Sequence, residues 1–353
     1  MALSKVGITS ISLGRSYARH QFVDRLAAAQ QFGFDGIELA YEDLLAVTRG
    51  LNHDGVNNEP VRDALMSAAR LVKDLCAQHD LEIICLQPFS QYEGLVDDEI
   101  HDGRIYQLHL WVMIAHELNT DLIQIPSNYL PADELTRDVA HMVRDLQEAA
   151  DIGAAANPPI RFAYEAICWG TCVNTWEQSW NIVKAVDRDN FGLCLDTFHI
   201  AGRVFADPTV PDGKMPNAQQ AVNDTLDRLV KEVDVKKVFY IQVVDAEKLT
   251  KPLVQGHEYY NKEQPARMSW SRNCRLFYGE EDLGAYLPIK QIATAIFDGL
   301  GYTGWVSLEL FNVRMLDEGE EVPSDLAYRG AKSWHKLARD MNLRVGSSVR
   351  EDS

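Results

Sequence analysis

Residues 191–199 read Phe191-Gly-Leu-Cys-Leu-Asp196-Thr-Phe-His199. A short apolar run ends on an acid, and a histidine follows three positions later. Such a run suits a strand buried on both faces of a parallel sheet. An unpaired carboxylate is costly to desolvate there, so the acid needs a reason. The pattern recurs along the chain. Residues 160–165 end Phe-Ala-Tyr-Glu165, residues 238–244 carry Gln242 inside Tyr-Ile-Gln-Val-Val-Asp, and residues 305–310 carry Glu309 inside Val-Ser-Leu-Glu-Leu. Residues 6–12, 36–39, 82–87 and 122–126 are similar apolar runs, several of the eight being bounded by Gly, Pro or Asp.

Longer amphipathic stretches separate these runs, at residues 21–32, 60–79, 104–118, 132–152, 174–186, 218–233, 289–300 and 324–341. In the second, Leu65, Ala68, Ala69, Val72 and Cys76 fall on one helical face. Gly33 supplies a stop after the first. Eight strands alternating with eight helices predict an α/β fold, a closed parallel (β/α)8 TIM barrel with long loops on its C-terminal face. A doubly wound open sheet is the competing architecture. The count of eight and the lack of a Gly-rich fingerprint after the first strand weigh against it. The length of 353 residues exceeds the typical barrel of about 250. The surplus falls in residues 204–219 and 245–288, loops long enough to expect function from. One catalytic barrel is expected over residues 1–345, with a frayed tail at 346–353.

Composition narrows the function. Net charge is −18, from 34 basic and 52 acidic residues, which argues against nucleic acid because affinity there comes from basic groups on phosphates. No apolar run reaches the roughly 18 residues of a membrane span, and the N-terminus lacks the profile of a signal peptide. Among six cysteines, Cys85 and Cys194 sit in apolar runs as small buried hydrophobes. Cys168 and Cys172 have no second pair to complete a zinc site. A cytoplasmic enzyme for a small molecule is expected, and association into a homo-oligomer stays open.

Glu165, Asp196, Gln242 and Glu309 end four consecutive strands, 31, 46 and 67 residues apart. A barrel brings such ends around one point. Carboxylates that close repel and raise one another's pKa, and a divalent cation removes the conflict. The all-oxygen set favours Mg2+ or Mn2+ over zinc. The competing reading of each acid alone is a helix cap or a salt-bridge partner. His199 on the same rim is a candidate general base, or else a capping residue. Arg267 and Arg272, with Ser269 between them, could hold a carboxylate or bridge Glu280, Glu281 and Asp282. Arg104 and Gln87 are further candidates for the pocket. Trp169, Trp270 and Phe311 could wall it from water, and Asp245 reads as structural.

The strand-end pattern resembles the sugar phosphate isomerase/epimerase-like barrel superfamily. Longer stretches resemble the fungal 3-dehydroshikimate dehydratases of quinate catabolism. They are Ile8-Thr-Ser-Ile-Ser-Leu-Gly14, Ile84-Cys-Leu-Gln-Pro-Phe-Ser-Gln-Tyr-Glu-Gly94, Leu193-Cys-Leu-Asp-Thr-Phe198, Gln264-Pro-Ala-Arg-Met-Ser-Trp-Ser-Arg-Asn-Cys-Arg275 and Gly304-Trp-Val-Ser-Leu-Glu-Leu-Phe-Asn312. The resemblance implies that Glu165, Asp196, Gln242 and Glu309 hold one divalent ion (Mg2+, Mn2+ or Co2+), and that His199 moves a proton. It also implies dehydration of 3-dehydroshikimate to protocatechuate through a metal-stabilised enolate. Two alternatives remain: a metal-dependent sugar or inosose isomerase or epimerase, and a non-catalytic sensor of a polyol acid.

Overall fold

A computed structural model describes residues 4–51 and 62–345. Eight parallel strands close into a barrel: β1 (Lys5–Thr9), β2 (Gly36–Ala40), β3 (Glu82–Gln87), β4 (Leu122–Pro126), β5 (Arg161–Glu165), β6 (Phe191–Asp196), β7 (Val238–Gln242) and β10 (Trp305–Leu308). The ring closes in the order β1-β10-β7-β6-β5-β4-β3-β2. Two short strands, β8 (Asp245–Ala246) and β9 (Arg275–Leu276), pair antiparallel above it. The predicted runs at 6–12, 238–244 and 305–310 outlast their strands by two or three residues. Val243, Val244 and Leu310 are buried although they lie past the ladder. Burial therefore extended the apolar pattern beyond the strand.

The helices are α1 (Phe22–Gln31), α2 (Tyr41–Leu51), α3 (Arg62–Gln78), α4 (Asp98–Leu118), α5 (Val139–Ala155), α6 (Trp176–Val186), α7 (Thr197–Val204), α8 (Ala218–Glu232), α9 (Ala266–Cys274), α10 (Ile289–Thr294) and α11 (Val322–Asp340). Helix α4 starts six residues before its predicted position, where the Asp97 side chain caps the amides of Glu99 and Ile100. Helices α2, α7 and α9 were not expected. The first two follow β2 and β6 without a linker, so no loop signal announced them. The third organises the long segment 245–288 that reads as a loop. The expected tail at 346–353 and Pro60 lie outside the described residues. Among the described residues no helix is long and apolar enough to cross a membrane.

Strand alternation sorts side chains by layer. Cys85, Leu122, Ala163, Cys194 and Tyr240 form a small buried cluster inside the barrel. One pleat further toward the C-terminal ends, at the same parity, come Gln87, Gln124, Glu165, Asp196 and Gln242. The main core lies between strands and helices, where Phe162, Tyr164, Leu193, Phe191 and Ile241 pack. A buried Arg25–Asp43 pair at 2.8 Å ties α1 to α2, and Arg25 also bonds the carbonyls of Ser10 and Gly14. That clamp holds the loop after β1 at the mouth of the barrel.

Candidate active site and metal ligands

Strand register sets the geometry. Glu165 pairs Cys194 across β5 and β6, Asp196 pairs Gln242 across β6 and β7, and Gln242 pairs Ser307 of β10. Glu165, Asp196, Gln242 and Glu309 all end buried at the mouth. Asp196 also caps α7. Its Oδ1 accepts from the amides of Phe198 and His199, which turns His199 back over the strand ends. Ligand atoms of Glu165, Asp196 and His199 lie within 4.8 Å of one another. His199 Nε2 is 3.7 Å from Glu165 Oε1 and 3.5 Å from Asp196 Oδ2.

Each of the four strand-end groups has its own partner. Gln124 donates to Glu165 Oε2. Gln87 Nε2 donates to Glu309 Oε1 at 3.0 Å. Gln242 Nε2 donates to both oxygens of Glu38, at 3.2 and 2.9 Å. Arg275 Nη1 reaches Asp196 Oδ2 at 2.8 Å and Glu309 Oε2 at 3.0 Å. Its Nη2 lies 3.0 Å from His199 Nε2, and its guanidinium is held between the rings of Phe198 and Phe311. Glu165, Asp196, His199 and, through Arg275, Glu309 thus meet. Gln242 stands beside them with its Oε1 turned toward Cys194 Sγ at 3.6 Å.

The charges do not balance. Burial pushes Glu165 well above the usual carboxylate range, and the charges of Glu309 and Asp196 push it further. Burial raises Glu309 to about 8 although Arg275 opposes it. Burial raises Asp196 as well, against the pull of Arg275 and its own hydrogen bonds, and it raises Glu38. Among the described residues Glu165, Asp196 and Glu309 share the one guanidinium of Arg275, with Glu38 buried beyond them. Glu165 Oε1 is buried and has no hydrogen-bond partner among the described residues. A divalent cation fits that unmatched oxygen and that excess of negative charge. His199 is driven the other way, well below its usual value, by burial first and Arg275 second. The Cys168 N–H donates to its Nδ1 and Arg275 Nη2 lies 3.0 Å from its Nε2. A neutral imidazole accepts at only one of these nitrogens, and neither neighbour can accept from a protonated ring, so the ring is held neutral.

The other predicted residues divide. Arg267 bonds the carbonyls of Gly202 and Ala206, fastening α9 to the end of α7. Ser269 is buried and accepts from Gln264. Arg272 is exposed at the rim, and the partial burial of its guanidinium lowers its pKa, with the Arg15 charge adding to the effect. Burial lowers Arg104 too, and its guanidinium lies over the Phe89 ring at 5.0 Å. Tyr129 lies within electrostatic reach of both. Arg104 Nε and Arg15 Nη1 are buried without partners among the described residues. Trp169 sits edge-on to the His199 ring at 4.8 Å, and Trp270 packs on Phe198 with the ring planes tilted by 43°. Asp245 accepts from the amides of Ala246, Tyr286 and Leu287, which is a structural role.

Arg275, Glu38 and Gln124 escaped the sequence reading. Glu38 and Gln124 interrupt the apolar runs Gly-Ile-Glu-Leu-Ala and Leu-Ile-Gln-Ile-Pro, the same signal that exposed Glu309. Arg275 carries no such local mark. The β8–β9 pairing of Ala246 with Arg275 brings it back to the mouth. A groove of about 840 Å3, lined by His109, Met113, Arg144, Asp151 and Arg188, lies on the outer helical layer and holds none of these groups. The convergent charges place the candidate site at the mouth instead.

The model of the xylose isomerase-like TIM barrel family matches residues 26–336. The chain belongs to that family. It is 56% identical to "3-dehydroshikimate dehydratase" of Neurospora crassa, over 97% of this chain and 96% of that protein. A solved "xylose isomerase-like TIM barrel/4-hydroxyphenylpyruvate dioxygenase fusion protein" superposes with a TM-score of 0.69 at 25% identity, over 99% of this chain and 46% of that one. The structure titled "IOLI protein with a binding zinc atom" shares the fold at a TM-score of 0.67 and 18% identity, over 95% of this chain and 98% of that one.

Proposed function

We propose that this chain dehydrates 3-dehydroshikimate to protocatechuate in the cytoplasm, with one divalent ion (Mg2+, Mn2+ or Co2+) held by Glu165, Asp196, Gln242 and Glu309. The observation that carries the reading is the meeting of Glu165, Asp196 and His199 in one buried cluster, in a chain 56% identical over 97% of its length to a protein of that name. When bound, such an ion acts as a Lewis acid that acidifies the proton next to the substrate ketone and offsets developing negative charge.

The chain's own groups do the rest. His199, kept neutral by burial and by Arg275, accepts the C4 proton. The C4–H electron pair becomes an enolate and then expels the C5 hydroxyl, which takes the proton from the protonated His199 and leaves as water. Tautomerisation of the remaining ring makes it aromatic. Arg275 keeps His199 from charging in the free enzyme and holds Asp196 and Glu309 in place. Arg272, Arg104 and Arg15 at the rim receive the ring carboxylate. Ser269 and Gln264 support Arg272, since Gln264 bonds both. Arg267 fixes the helix that carries them. Trp169 and Phe311 exclude water around the reacting atoms.

The test is direct. Metal-stripped protein, resupplied with Mg2+, Mn2+ or Co2+, is mixed with 3-dehydroshikimate, and the near-ultraviolet absorbance of protocatechuate is followed. Metal-dependent growth is expected. Folded protein that shows no growth with any metal, but is thermally stabilised by the compound, would be a sensor instead.

A further inference from the structure

A glutamine is an ambiguous ligand. Its amide carries an oxygen acceptor and a nitrogen donor of nearly the same shape, and a half-turn exchanges them. Only the oxygen can bind a cation. A site that uses Gln242 therefore needs something that decides which end faces the ion.

Glu38 is placed to decide it. It is fully buried on β2 and reaches across the barrel interior to β7. Gln242 Nε2 lies 3.2 Å from its Oε1 and 2.9 Å from its Oε2. Other donors converge on the same carboxylate: Thr9 Oγ1 at 3.1 Å, Tyr240 Oη at 3.0 Å and Cys85 Sγ at 3.7 Å. With these contacts Glu38 is filled as an acceptor and is not itself free to bind a cation. Turning the Gln242 amide over would bring its carbonyl oxygen against that carboxylate. The nitrogen is thus fixed toward Glu38, and Oε1 is left on the β6 side, where Cys194 Sγ lies 3.6 Å away and Asp196, the register partner of Gln242, stands one pleat above.

The contact is a third instance of one device. Gln124 to Glu165 and Gln87 to Glu309 are also amide-to-carboxylate bonds. In those two the carboxylate belongs to the ligand set and the glutamine orients it. At Gln242 the roles are exchanged. We propose that Glu38 is the positioning residue that presents the carbonyl oxygen, rather than the nitrogen, of Gln242 to the metal. This rests on the reading of Gln242 as a ligand. Partners behind metal ligands typically alter affinity by about 10- to 100-fold.

The experiment is calorimetric titration of the full-length, metal-stripped chain with Mn2+. Wild type is expected to bind one ion. Glu38→Gln, which can donate to the Gln242 oxygen and so permits the wrong orientation, is expected to bind about 10- to 100-fold more weakly while melting cooperatively. Gln242→Glu gives a second test should Glu38→Gln not fold. Adding an anionic ligand ordinarily tightens cation binding. Set against Glu38, the new side chain brings an oxygen where the amide N–H stood and meets like charge, so weaker binding is expected. Wild-type affinity in Glu38→Gln, or tighter binding in Gln242→Glu, overturns the role of Glu38 and leaves the metal site standing. Failure of wild type to bind any ion overturns both readings together.

Discussion

Arg275→Met separates the structural charge balance of the mouth from its chemistry. Arg275 Nη1 serves Asp196 and Glu309 at 2.8 and 3.0 Å, with all three side chains buried. Removing one partner of a buried ion pair costs roughly 3–5 kcal/mol, because the remaining charge is left uncompensated. Two effects hold the cost near the lower end. Glu309, already raised to about 8, takes up a proton more readily once the guanidinium is gone, at about 1.4 kcal/mol per pKa unit. Methionine refills the space between Phe198 and Phe311 and replaces the cation–ring contacts with sulfur–ring ones. The metal-free variant should therefore lose roughly 3 kcal/mol of stability. A divalent ion supplies the missing positive charge, and 100-fold excess over its Kd stabilises the folded form by about 2.7 kcal/mol. Asp196 Oδ2 and Glu309 Oε2 are also released from the guanidinium, so the ion should bind the variant more tightly. Urea unfolding in EDTA and in Mn2+ measures both effects. A metal-free variant as stable as wild type, or a stability deficit that does not narrow with metal, would refute the reasoning.

His199→Ala should lower kcat by about 100- to 10,000-fold while bound metal, measured by elemental analysis, stays at wild-type stoichiometry. Normal turnover would remove His199 as the base. Arg272→Leu should raise the KM for 3-dehydroshikimate by roughly 10- to 100-fold, the worth of a charged hydrogen bond, with kcat within a few-fold; an unchanged KM places the carboxylate elsewhere. Asp245→Asn tests pH dependence away from the metal. Burial lifts Asp245 from 3.8 to about 7, so between those values the folded protein holds a proton that the unfolded chain has lost. Wild type therefore loses this contribution as pH rises from about 4 to 7, and the asparagine variant does not. Melting at pH 5 and pH 8 should show the variant gaining on wild type at the higher pH; a gap that does not change refutes the assignment.

The eight strands were legible because each is a short run buried on both faces, and burial leaves an apolar signature in one dimension. Helix α7 was not. It begins on the residue after β6 and turns on the Asp196 cap, so an acid that looked like a ligand was also a helix start. The loop 245–288 resisted reading for another reason. Its order comes from pairing with distant backbone, as in Asp245 with Leu276 and Cys274 with Asn312. Such contacts leave no local period.

Sequence alone determined the (β/α)8 class and the acids and amide at four strand ends, because a polar group inside an apolar run is a local contradiction visible in order along the chain. Only the tertiary structure decided how those groups are held. Arg275 lies 33 positions after Gln242 and Glu38 lies 204 before it, yet both meet the same cluster. Barrel closure and the β8–β9 pairing convert those separations into hydrogen bonds. The balance of charge at the mouth is a property of that closure, and no linear pattern carries it.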